Sequence, residues 1–87
     1  MKKVIVYGSP MCPDCVEAKK VLDAEGIRYG YVDVTAGMPH LKKFLALRDS
    51  RSEFDPVKEE GKIGIPCFVV DDKDVYIMLP EDLDVLR

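Results

Sequence analysis

An 87-residue chain has room for one small domain, since area scaling gives a folded surface of roughly 5,200 Å² against about 14,000 Å² unfolded, enough for a single core. Its 47% hydrophobic and 33% charged residues are globular proportions, and no apolar run approaches the roughly 20 residues of a membrane span. The net charge of -3 gathers at one end, where residues 63–87 hold 2 basic against 6 acidic side chains, so no dense basic patch serves nucleic acid and no basic amphipathic helix serves a membrane surface.

Lys2 to Tyr7 is rich in Val and Ile and ends at Gly8-Ser9-Pro10, which predicts a first strand and is too short an apolar run for a secretory signal. From Pro13 to Glu25, Val16, Ala18, Val21 and Leu22 recur at helical spacing, with proline at the first helical position and Gly26 just past the end. Ile27 to Val34 predicts a second strand, parallel to the first because a helix connects them. A second helix is expected over Met38 to Arg48, where Leu41, Phe44 and Leu45 are core residues and His40 is a surface residue. Asp49 to Gly64 is polar and reads mostly as loop, with Phe54 and Val57 spaced for one short helical turn. Cys67 to Asp71 and Val75 to Leu79 are β-rich runs joined by Asp72-Lys73-Asp74, an expected antiparallel hairpin. Pro80 opens a closing helix, Glu81 to Arg87, and the order is βαβαββα.

Three cysteines in a short chain cannot all pair internally, and two lie in Cys12-Pro13-Asp14-Cys15, between a predicted strand and helix of a βαβ unit. That spacing puts Cys12 where the unpaired N–H groups and dipole of a helix end favour a thiolate, with Cys15 one turn along and close enough to form a disulfide. Pro13 presets φ and lacks an N–H that would otherwise be orphaned, which stiffens the turn. Asp14 opposes the thiolate with its own charge, so the pair reads as a reductant rather than a strong oxidant. A zinc site needs four ligands, and beyond the pair the chain offers only Cys67 and His40 as soft donors. A working Cys pair fits a reducing compartment, and the cytoplasm is the expected location.

The pair, with Ile65-Pro66-Cys67 before the third strand, resembles the glutaredoxins among the thioredoxin-fold disulfide oxidoreductases. The resemblance extends from Val4–Tyr7 through Gly26-Ile27 and Val32-Asp33-Val34 to Gly64-Ile65-Pro66 and Glu81-Asp82-Leu83. It implies one domain over residues 1–87, an α/β thioredoxin fold with a four-stranded mixed sheet flanked by helices. It further implies a thiol-disulfide oxidoreductase in which Cys12 attacks and Cys15 resolves, with Pro66 cis and the Ile65 backbone pairing with substrate. Pro13, Ile65, Pro66, Glu81 and Asp82 are the implied substrate-binding residues, and Cys67 is an accessory thiol close to Cys12 or a packing residue. No cofactor is implied as permanently bound. Disulfide-containing proteins are the implied substrates, and glutathione, as co-substrate, or a thioredoxin-reductase-type system supplies electrons. Typical glutaredoxins carry Lys before the first Cys, Tyr between the two and Gly-Gly before the acidic pair. Here those places hold Ser9 and Pro10, Asp14, and Leu79-Pro80, which predicts weaker use of glutathione. A module holding a metal or iron-sulfur cluster through Cys12 and Cys67, across a homodimer, is the alternative.

Overall fold

The structure, a computed structural model, describes residues 2–87. Strands β1 (Val4–Gly8), β2 (Gly30–Asp33), β3 (Cys67–Val70) and β4 (Asp74–Ile77) form one sheet in the order β2-β1-β3-β4. β1 and β2 are parallel, joined through helix α1 (Pro13–Ala24), while β1–β3 and β3–β4 are antiparallel.

Alternation along β1 divides the core into two layers. Val4 and Val6, with Phe68 and Val70 of β3, pack against Ala18 and Leu22 of α1 and against Leu86. Tyr7, Cys67, Val69 and Val75 instead meet Phe44, from helix α2 (Met38–Ser50), and Phe54. The two long helices therefore cover opposite faces of the sheet, and α1 starts just beyond the end of β1. Among the described residues no helix is long and apolar enough to cross a membrane.

Leu45, expected in the core, is exposed, and three of the expected elements needed correction. The second strand begins at Gly30 rather than Ile27, because α1 ends in a Schellman turn. Gly26 takes φ 67° there and the Ile27 N–H donates to the Leu22 carbonyl at 3.0 Å, tying Ile27 to the helix end. The polar stretch 49–64 is more ordered than a loop. α2 runs two residues beyond Arg48, and a 3₁₀ turn (Ser52–Phe54) leads into a short helix α3 (Asp55–Glu59). Phe54 is the anchor, fully buried and edge-on to Phe44 with ring centroids 5.9 Å apart. The closing segment is a 3₁₀ turn, Leu83–Leu86, instead of a helix from Glu81. Asp82 caps it by accepting the Asp84 N–H at 3.0 Å, and so short a segment lacks the length for a helix to propagate from its costly first turn. The β3–β4 connection is the expected hairpin, with Asp71 and Asp72 both left-handed at φ 54° and 57°.

Candidate active site

The loop between β1 and α1 is built on Ser9. Its side chain is buried, its hydroxyl pairs with Thr35 Oγ1 at 3.1 Å and accepts the Met11 N–H, and its carbonyl accepts the Cys12 N–H at 3.1 Å. Thr35 is held in turn by Asp33, and those hydrogen bonds lower the Asp33 carboxyl pKa. Cys12 consequently lands at the N-cap of α1 with extended backbone, where its Sγ accepts the Cys15 N–H at 3.4 Å. Pro13 opens the helix and is exposed.

The two sulfurs differ in access. Cys12 is half-buried, whereas Cys15 is 1% exposed on the inner side of the helix. Burial first, then its hydrogen bonding with Cys12, pushes the Cys15 thiol up to about 12. Both are free thiols, as is Cys67.

Cys12 opens onto a cavity of about 590 Å³ whose wall includes Met11, Ile63, Ile65, Ile77 and Met78, with Asp14, Glu60 and Lys62 among its polar groups. Met11 is 76% exposed, Ile63 61% and Met78 44%, so large apolar side chains gather around the accessible sulfur. The structure thus brings Ile65 to Cys12, beside a cis Ile65–Pro66 peptide whose proline is buried. Among the described residues, neither the N–H nor the C=O of Ile65 bonds to another backbone group outside the helices and strands. Glu81 and Asp82 are exposed and absent from the cavity wall, and Asp82 serves as a cap.

Cys67 is placed differently from the expectation of a thiol close to Cys12. Its side chain lies on the α2 face of the sheet among Tyr7, Phe44 and Phe54, fully buried, and burial pushes its thiol up to about 12. The reason is strand alternation: Cys67 pairs with Tyr7, and both point away from α1. Among the described residues, no group of three or more His, Cys, Asp or Glu side chains is placed to hold a metal.

Sequence reasoning missed Arg48. In the sequence it is only the last residue of the predicted second helix, yet its guanidinium donates to the Lys62 and Ile63 carbonyls at 2.7 and 2.9 Å, fixing one wall of the cavity. A contact spanning 14 residues, across two short helical segments, leaves no periodic signal.

A mixed four-stranded sheet with helices on both faces and a Cys pair at the start of α1 defines a thioredoxin-like α/β protein. The glutaredoxin family profile matches residues 4–75. An uncharacterized protein of Haemophilus influenzae is 38% identical over 79 residues, covering 91% of this chain and 92% of that protein. The chain belongs to the glutaredoxin family of thiol-disulfide oxidoreductases.

Proposed function

We propose that the protein reduces disulfides of protein substrates in a reducing compartment, the cytoplasm, through a two-cysteine cycle. The Cys12 thiolate attacks one sulfur of a substrate disulfide, forming a mixed disulfide and expelling the other substrate sulfur as thiolate. The Cys15 sulfur then attacks Cys12 Sγ, the Cys12–Cys15 disulfide forms, and the second substrate thiol leaves with the proton given up by Cys15. Two electrons have passed to the substrate, and glutathione or a reductase of the thioredoxin-reductase type restores the dithiol.

The observation that carries this reading is the asymmetry of the pair, an accessible Cys12 at a helix amino terminus backed by a buried Cys15 one turn along. The apolar cavity wall supports a polypeptide rather than glutathione as the preferred occupant, since a small charged peptide gains little from Met11, Ile63 and Met78. The backbone groups of Ile65, unpaired among the described residues, support short β-like pairing with the bound chain.

The test compares variants on a disulfide-bonded protein and on a glutathione mixed disulfide. Cys12→Ser should abolish reduction of both, and Cys15→Ser should accumulate a covalent adduct through Cys12, visible by mass. Faster native alkylation of Cys15 than of Cys12 would reverse the assignment. Glutathione-dependent activity equal to that of an ordinary glutaredoxin would remove the substrate preference. Visible absorbance with bound iron in anaerobically prepared protein would favour the cluster-binding reading.

A further inference from the structure

Gly8 ends β1 directly beneath the first turn of α1, and the absence of its side chain is used by two other residues. A Cβ at this position would lie 2.6 Å from the Tyr31 hydroxyl oxygen and 3.1 Å from Cys15 Sγ. Both atoms therefore border the same small space over the Gly8 Cα. Tyr31 reaches it from β2, where it pairs with Val6 and so shares the α1 face of the sheet. The Lys19 ammonium, four residues along α1 from Cys15, stands 4.8 Å from the centre of the Tyr31 ring and holds the ring against the helix. Tyr29 uses its hydroxyl differently, donating to Asp23 at 2.7 Å.

We propose that Tyr31 is a positioning residue for Cys15, its hydroxyl held across the bare Cα of Gly8 to donate a hydrogen bond to the Cys15 sulfur as that sulfur becomes the attacking thiolate. The inference rests on the two-cysteine cycle proposed above and concerns its second step. Cys15 is sealed from water, so the charge it carries as a thiolate before attack has no solvent to stabilise it, and a protein donor is the available substitute. Burial, then the charges of Cys15 and Asp33, raise the Tyr31 hydroxyl above its ordinary range, so it is a protonated donor at neutral pH. The titratable and charged groups around this pair are Cys12 and Asp14 at the start of α1, Lys19, Lys20 and Asp23 further along it, Tyr29 just before β2 and Asp33 at its end. No proton is lost to Tyr31. The Cys15 proton leaves with the departing thiol, and the hydroxyl keeps its own.

A donor that raised the thiolate population of Cys15 tenfold would speed attack by about threefold, because nucleophilicity falls as the thiolate is stabilised. Stopped-flow reaction of the reduced protein with a symmetrical aromatic disulfide resolves this step. The first released thiol reports attack by Cys12 and the second reports resolution by Cys15. Tyr31→Phe should leave the first phase unchanged, slow the second about threefold at neutral pH and move its pH profile upward. Tyr31 is half-buried and lines an open groove, so the lost hydroxyl leaves no core cavity. Gly8→Ala, which displaces the hydroxyl from its place, should slow the same phase. A second phase with unchanged rate and pH profile in Tyr31→Phe overturns the proposal, as does equal slowing of both phases. Wild-type protein releasing one thiol only would overturn the two-cysteine cycle along with it, which separates the two failures.

Discussion

Cys12 and Cys15 are three residues apart and chemically unlike, and the difference comes from which side of α1 each occupies. Burial holds the Cys15 thiol well above its ordinary value, a cause that persists once Cys12 is in a mixed disulfide, so only a small fraction of molecules carries its thiolate at neutral pH. Resolution should then accelerate with pH across the neutral range, which the second phase of thiol release measures directly. A plateau near pH 8 would mean that Cys15 is far more acidic in the mixed disulfide than its burial dictates. The pair itself was legible in the sequence because proline, spacing and a preceding strand are local signals. Ser9, Tyr31 and Arg48 were not, since each acts through contacts across the fold: Ser9 with Thr35, Tyr31 over Gly8, Arg48 with the 62–63 carbonyls.

Among the elements, the segment joining α2 to β3 depends most on one side chain. Phe54 fills the layer between sheet and α2, and Gly64 passes so close that an added Cβ would stand 2.9 Å from its ring, at a φ of 99° that side chains avoid. Gly64→Ala should cost roughly 1–3 kcal/mol in urea unfolding and, because Ile65 follows directly, weaken binding of protein substrates. Phe54→Ala should cost about 3–5 kcal/mol through the cavity it opens. Phe54 and Val57 show in the sequence as one short helical turn, but the charged residues around them carry no further period, so most of this stretch reads as loop while the long periodic helices and the Asp-rich hairpin do not. Arg48→Met tests the wall from the other side. Loss of its two carbonyl contacts should raise KM for protein substrates more than it lowers kcat, with stability nearly unchanged because Arg48 is only half-buried.

For the whole molecule, two buried thiols make stability depend on alkali. Cys15 and Cys67 are raised from 9.0 to about 12, so the unfolded chain releases protons above about pH 9 that the folded chain still holds. Their contribution is complete below pH 9 and is lost as pH climbs toward 12. The melting temperature of the reduced protein should fall over that window, and Cys67→Ala should lower the plateau while flattening the fall. A fall of the same steepness in that variant would show that Cys67 is not protected as its burial requires. The sealing of Cys67 behind Tyr7 and Phe44 also governs how the molecule meets oxidants. Of three thiols, a solution reagent finds one readily, so thiol titration should count about one fast equivalent in the native protein and three in denaturant. An oxidising shock falls on the residue that does the chemistry, and the chain goes silent well before it loses its shape.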